Sequence, residues 1–477
     1  MAEAIVEGIP MPVKLTFLGA TQNVTGFRYL LETGSMKILI DCGLYRERDF
    51  LHRNWEEFSP EPSSIDAVFL THAHLDHCGL LPRLVKKGFN KPIYCTRPTA
   101  EIAAISLLDA AKMQEEDAAF KKKRHEREGR KGPHPEMPLY TSDDAKATIP
   151  LFSPVDYGER VQLGPDLSAT LYNAGHVLGS AMIKFVIGSG TDVETVIFSG
   201  DIGRGNDPIL EQPALFDSAD CVVMESTYGG LLHGTEEQAA HQLVQAIYHA
   251  IKAGGNVVIP SYVFERAQDM LNYINGFFLE QKIPPLPVFL DSSSAVDITD
   301  VFSRHPEYLN QNVREMIAAG HSPFEFPQLT RVVNEEQSKA IVDVKGSSII
   351  IAGSGMATGG HIKRHLINNI TSPENSIIFV GYQAPNTLGR RIVDGDKEVR
   401  ILGQNYPVRA HIEKIDGFSA HADNDELIKW LSAFKLPPKR LMIPNSEPAA
   451  AQQFEHLVTQ KLGWQVEIPD YGHQYTL

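Results

Sequence analysis

The chain has 477 residues, 43% of them hydrophobic and 22% charged, with a formal net charge of −15. This composition excludes a mainly disordered chain, and its acidity argues against a protein that holds nucleic acid through a large basic surface. No apolar run approaches the roughly 18–20 residues that span a bilayer, so no membrane partner is expected. The acidic start Met1-Ala2-Glu3-Ala4 lacks a secretory signal, and Cys42, Cys78, Cys95 and Cys221 show no paired spacing. Reduced thiols and a cytoplasmic location follow as the expectation.

The length suggests about two to four domains. In chain order, strands are expected over 13–18, 28–32, 37–40 and 67–70, with a hairpin around Thr33-Gly34-Ser35 and a helix over 80–87 stopped by Gly88. A long helix over 99–120 runs into Lys121-Lys122-Lys123-Arg124-His125-Glu126-Arg127-Glu128-Gly129-Arg130-Lys131, with seven basic and two acidic residues in eleven. That arm reads either as a solvated helix end and loop or as a local phosphate contact in an otherwise acidic protein. Strands over 169–172, 195–198 and 221–224 each run into a polar residue with a nearby glycine: Asn173 to His176, Ser199 to Asp201, Glu225 to Gly229. Sites in α/β folds form where such strand ends converge.

Near Glu225 the pattern changes. Helices over 236–253 and 267–278 alternate with apolar strands over 256–259, 288–290 and 348–351, as in an α/β insert with its own parallel sheet. The insert is expected to end around residues 360–369, before a strand at 377–380. The tail carries a helix over 425–434, a strand over 440–443 and a last helix over 449–462.

Among the 18 histidines, His72-Ala73-His74-Leu75-Asp76-His77 is the strongest chemical signal. In an extended loop residues 72 and 74 point to one side, so two imidazoles converge on one cation. Asp76 and His77 start the next helix and can turn to a second cation. Nitrogen and carboxylate donors suit Zn²⁺, with Mn²⁺ or Fe as competitors. His176 and Asp201 complete the cluster, and Asp201 could bridge two metals. Asp41, at a strand end, is either an acid that orients a ligand histidine or the bridging water, or a structural residue.

The series Asp41, His72-x-His74-x-Asp76-His77, His176, Asp201 resembles the metallo-β-lactamase superfamily. Glu225-Ser226-Thr227-Tyr228-Gly229 and Phe418-Ser419-Ala420-His421-Ala422-Asp423 resemble its β-CASP subgroup of RNA and DNA nucleases. The stretches Gly353–Gly360 and Gly381-Tyr382-Gln383 extend the match along the chain, closest to bacterial and archaeal RNA-processing members. The resemblance implies an αββα metallo-β-lactamase sandwich with an inserted α/β β-CASP domain that caps the site. The expected division is 1–215, 216–365 for the insert, and 366–477 for the returning part. It further implies that His72, His74 and His176 hold one zinc, that Asp76 and His77 hold the other, and that Asp201 bridges. Asp76 would also steer the attacking hydroxide. His421, paired with Glu225, would protonate the leaving oxygen, since a carboxylate favours the imidazolium a general acid needs. Arg266 would face the substrate groove or form a surface ion pair. Backbone amides around Ser354 and Gly355, and of Ser419 and Ala420, would cradle phosphates.

Two stretches depart from the family pattern. In Ile443-Pro444-Asn445-Ser446-Glu447-Pro448, Asn445 stands where a ligand histidine is usual. An amide oxygen is a poorer zinc ligand than imidazole, which leaves the second site weak, filled only at high metal, or empty. Asp291-Ser292-Ser293-Ser294-Ala295 also differs from the usual Asp-Ser-Pro-Met-Ala. The implied function is a zinc-dependent ribonuclease, endo- or exo-acting, with RNA as partner and a homodimer left open. A catalytically impaired RNA-binding scaffold, a DNA-acting nuclease and a small-molecule hydrolase are the alternatives. The inserted domain and His421 weigh against the last.

Overall fold

The computed structural model describes residues 13–34, 36–130, 136–190 and 192–477. Met1–Ala4, Ser35 and Lys131 lie outside them. The described chain forms three main sheets. The first has seven strands in the order Gln474–Thr476, Lys14–Phe17, Tyr29–Glu32, Lys37–Ile40, Ala67–Phe69, Ile93–Cys95, Phe152–Pro154. The second has six, in the order Arg440–Met442, Cys221–Val223, Asp192–Phe198, Ala181–Ser189, Leu167–Asn173, Arg160–Gly164.

Alternation along these strands sends one set of side chains inward. Leu15, Phe17, Phe69, Leu171, Ile183, Phe185, Val196, Phe198 and Val223 form one shared core between the two sheets. On the outer side of the first sheet, helices Leu81–Lys86, Arg97–Glu128 and Ser142–Thr148 bury Leu84, Ile102, Leu107 and Ala145 with Val68 and Ile93. Helices Asn424–Leu431 and Pro448–Leu462 cover the second with Leu427, Leu431, Phe454 and Val458. The result is the expected αββα sandwich. The hairpin at 29–40 has the register Tyr29↔Ile40 to Glu32↔Lys37.

The third sheet is parallel throughout, in the order Leu329–Val332, Val288–Asp291, Ile349–Ala352, Val257–Pro260, Ser376–Phe379, His411–Lys414. Its four inner strands are apolar and buried because helices and loops cover both faces, while the edge strands Leu329–Val332 and His411–Lys414 are more polar. Two expected boundaries shift here. Cys221–Val223 pairs with Asp192–Phe198 in the lactamase sandwich, so the insert begins after this strand and not at 216. Ser376–Phe379 pairs with Val257–Pro260 and is followed in the sheet by His411–Lys414, so the insert runs past 365 to about residue 414. Short apolar strands look alike in a sequence, and only their pairing tells which sheet owns them.

The long helix starts at Arg97, where the Thr96 hydroxyl accepts from the Thr99 amide, and ends at Gly129 with φ 62°. Its last two turns carry Lys121–Glu128 of the basic arm. No described helix is long and apolar enough to cross a membrane. All four cysteines are buried and free.

Candidate metal centre

The strand Ala67–Phe69 ends beside Lys37–Ile40, and both deliver polar residues to the same end of the sandwich. Asp41 adopts a left-handed backbone, φ 58°, which Asp tolerates better than most side chains. Its Oδ1 accepts from the Thr71 amide at 2.8 Å, and its Oδ2 accepts from the Thr71 hydroxyl at 2.8 Å and from His77 Nδ1 at 2.7 Å. Gly43 follows because the chain there meets the next segment backbone to backbone; a Cβ would stand 1.5 Å from the Asp76 carbonyl oxygen. Gly203 does the same for the loop after Asp201, where a Cβ would stand 1.6 Å from the Gly175 carbonyl oxygen.

These loops bring His72, His74, His176 and Asp201 together, with one ligand atom from each within 4.8 Å of the others. The Nε2 atoms of His72 and His176 are each 3.6 Å from Asp201 Oδ2, and His77 Nε2 is 3.4 Å from it. His74 Nδ1 is 3.0 Å from His72 Nε2 and 3.4 Å from His176 Nε2. The far nitrogens are engaged: His72 Nδ1 with the Thr71 hydroxyl at 3.1 Å, His176 Nδ1 with the Ala420 carbonyl at 3.1 Å, His77 Nδ1 with Asp41. Such outer bonds set the tautomer and turn Nε2 inward.

Burial, with the other histidines of the cluster, holds His72 and His176 well below the ordinary histidine value, and burial takes His74 to about 4. Neutral rings keep the lone pairs a cation needs. Asp201 Oδ1 and His77 Nε2 are buried without a hydrogen-bond partner. Converging lone pairs and orphaned atoms of this kind fit a bound metal ion. Asp201 is also shared with a second group, Glu225 and His421. His421 Nδ1 lies 3.0 Å from Glu225 Oε2, and the Ile202 amide donates to Glu225 Oε1 at 2.5 Å. Burial disfavours the charged ring of His421, but Glu225 and Asp201 outweigh it and lift its pKa to about 9.

Converging imidazole nitrogens, a shared carboxylate and a second imidazole paired with a buried carboxylate, all at one sandwich end, are the parts of a metallo-hydrolase. A Thermus thermophilus protein, Ribonuclease TTHA0252, is 35% identical over 421 residues, which cover 88% of this chain and 90% of the relative. The chain belongs to the β-CASP subgroup of the metallo-β-lactamase superfamily. Three family models match this β-CASP protein: a metallo-β-lactamase superfamily domain at 30–227, a Beta-Casp domain at 267–392, and a Zn-dependent metallo-hydrolase RNA specificity domain at 405–469. The transcription termination factor FttA of Methanocaldococcus jannaschii is 33% identical over 470 residues, 96% of this chain and 70% of that one. The FttA of Pyrococcus horikoshii is 32% identical over 476 residues, with the same coverage. A crystal structure of a protein of unknown function from Enterococcus faecalis superposes at TM-score 0.55 with 13% identity, covering 98% of this chain and 100% of that one, and shares the fold.

Not every expected residue joins the cluster. Asp76 is half-buried and belongs to none of the described groups of three or more His, Cys, Asp or Glu ligands. Asn445 is buried and its Nδ2 donates to the Thr227 hydroxyl at 3.3 Å. It lines a small cavity with Asp41, Thr71 and Glu225. Phe27 lines the same cavity and stacks on His77, centroids 3.7 Å apart. Arg266 is largely buried, with Nη1 3.2 Å from Asp269 Oδ2, and lines a small cavity with Ser419. The loop at Ser354 closes on itself, because Ser354 Oγ accepts from the amides of Thr358 at 3.0 Å and Gly359 at 3.3 Å. Gly355 is buried, and a Cβ there would stand 3.0 Å from the Tyr262 ring. Ser419 Oγ accepts from the His421 amide at 3.2 Å, and the Ala420 carbonyl serves His176. Ser292, in the divergent Asp291–Ala295 stretch, caps the helix Ser293–Arg304.

Sequence reasoning missed Thr71, Phe27 and Phe264. Thr71 carried a faint signal, a hydroxyl just before the first ligand histidine. Phe264, from the insert, packs edge-on to His74 at 5.2 Å, a contact no local pattern could announce.

Proposed function

We propose that this protein is a zinc-dependent ribonuclease that hydrolyses RNA phosphodiester bonds. One observation carries the proposal: Asp201 belongs at once to the His72, His74 and His176 group and to the Glu225 and His421 group. The candidate metal ligands and the His421–Glu225 pair therefore share one carboxylate, and His421 lies close to the ligand set, its ring 4.4 Å from that of His176. In this reading His72, His74, His176 and Asp201 hold zinc, with Mn²⁺ as the competitor. Such a cation, when bound, supplies hydroxide at neutral pH and a counter-charge for phosphate. Thr71, Asp41 and the Ala420 carbonyl keep the ligand nitrogens aimed. Glu225 holds His421 through Nδ1, leaving Nε2 to give a proton to the leaving oxygen. The names of the Thermus and archaeal relatives and the RNA specificity domain at 405–469 support RNA as substrate.

Asp76, His77 and Asn445 are proposed as a weak second metal site. The bond from Asn445 to Thr227 and the absence of Asp76 from the described ligand groups support weak occupancy. The test is labelled single-stranded RNA, with single-stranded DNA in parallel, incubated with purified protein with and without Zn²⁺ or Mn²⁺. Metal-dependent RNA cleavage is expected. Failure of the protein to cut RNA with either metal, while the Asn445→His variant cuts, would overturn it for this chain and favour an RNA-binding scaffold.

A further inference from the structure

Away from the histidines, Asp207, Glu265 and Asp269 bring one carboxylate oxygen each within 4.8 Å of the others. They come from different places. Asp207 lies in the loop after Asp201, Glu265 directly precedes the helix Arg266–Leu279, and Asp269 is in the first turn of that helix. Each is held through one oxygen. Asp207 Oδ1 accepts from the amides of Ile209 and Leu210, both at 2.8 Å. Glu265 Oε2 accepts from the Leu178 amide at 2.9 Å, two residues beyond His176. Asp269 Oδ2 faces Arg266.

The other oxygens of Glu265 and Asp269, Oε1 and Oδ1, are buried and have no hydrogen-bond partner. Glu265 is 2% exposed and Asp269 5%. A buried carboxylate oxygen left without a partner is costly, so two side by side call for an occupant. A cavity of about 20 Å³ lies against Asp207 and Asp269, lined also by Arg204, Glu236, Arg266 and Tyr273. It has room for about one water-sized particle.

Charge and distance both specify that occupant. Three ionised carboxylates beside Arg266 leave two negative charges, which one divalent cation balances. Hard cations such as Ca²⁺ sit about 2.3–2.6 Å from oxygen ligands, so oxygens around one ion lie up to roughly 5 Å apart. The 4.8 Å grouping fits within that span. Nothing but oxygen is offered, which disfavours zinc.

We infer that Asp207, Glu265 and Asp269 bind a hard divalent cation of the calcium class, which clasps the inserted domain to the loops carrying His176 and Asp201. The competing occupant is protons. Burial first raises all three, helped by Asp269 and Asp207 at Glu265, by Glu236 at Asp207, and by Asp207 and Glu236 at Asp269, and takes Asp207 to about 6 and Asp269 to about 8.

The test uses the full chain saturated with zinc, titrated with CaCl₂ by calorimetry, with Tm followed in parallel. Wild type is expected to bind one equivalent of Ca²⁺ and to melt higher with it. Asp269→Asn and Asp207→Asn should each weaken that binding at least tenfold with zinc content unchanged. Absence of Ca²⁺ binding to the wild type at millimolar concentration overturns the inference, whatever the variants do. So does equal binding by a folded variant. A wild type indifferent to Ca²⁺ beside an Asp269→Asn variant that melts higher would assign the cluster to shared protons.

Discussion

His421 and Glu225 are joined across 196 residues of sequence by a contact of 3.0 Å between Nδ1 and Oε2. The carboxylate is fully buried while the imidazole is 23% exposed, so the ring alone reaches the outside. Glu225 in turn is fixed by the Ile202 amide, next to Asp201. The His421–Glu225 pair and the candidate ligand Asp201 are therefore tied to one short segment after the strand Asp192–Phe198.

If His421 supplies the proton, His421→Ala should slow RNA cleavage by about 10²–10⁴-fold. Bound zinc should stay at the wild-type level. Glu225→Gln should also slow cleavage, because the ring loses the charge that favours its protonated form. Metal analysis beside single-turnover rates checks both; parallel loss of zinc would mark the pair as structural.

Asn445 governs the second site in the proposed reading. Purified wild type should hold about one tight zinc equivalent, and Asn445→His should raise this towards two, with faster cleavage. Asp41→Asn keeps the left-handed backbone but removes the anionic acceptor of His77 Nδ1. Replacing such an outer partner should weaken metal binding by about 10–100-fold. Equilibrium dialysis against buffered zinc measures each.

Residues Lys121–Glu128 of the basic arm form the last two turns of the helix Arg97–Glu128, with Lys121, Lys122 and Lys123 exposed. The same helix passes the Ser354 loop at Met113, whose Cε would lie 3.9 Å from a Cβ on Gly359. Lys121 is then about 12 Å further along the axis. Replacing Lys121, Lys122, Lys123 and Arg124 by Ala should weaken RNA binding and flatten its salt dependence, by about 0.7 in slope for each phosphate the arm no longer neutralises. An unchanged slope in binding isotherms returns the arm to a solvated helix end.

Asp291 ties the insert together. Its Oδ1 accepts from His361 Nδ1 at 2.8 Å, and its Oδ2 accepts from His365 Nε2 and Ser338 Oγ, both at 2.5 Å. Burial alone would raise its pKa, yet the bonds from His365, Ser338 and His361 prevail and hold it below the ordinary 3.8. A depressed carboxylate stabilises the fold above its unfolded value and loses that contribution as pH falls through the folded one. Asp291→Asn should therefore cost about 1–3 kcal/mol near neutral pH. The difference from wild type should shrink below about pH 4. Urea melts at several pH values read this directly.

The sequence by itself brought His72 and His74 together, because they alternate in the loop after one strand and point to one side wherever that strand lies. It also carried His176, Asp201, Glu225 and His421, each placed at a strand end or loop. What it did not determine was ownership and company. Ser376–Phe379 looks like any buried strand and His411–Lys414 is polar; only the bonding of the first to Val257–Pro260, and of the second to the first, assigns them to the insert. Arg266 reads equally as a groove residue or a surface ion pair; its partner Asp269 is one helical turn away, and only the fold buries the two. The union of Asp207 with Glu265 and Asp269 belongs wholly to the tertiary structure. Periodicity records which face of an element is apolar, but contacts between distant segments arise from packing, which no local pattern encodes.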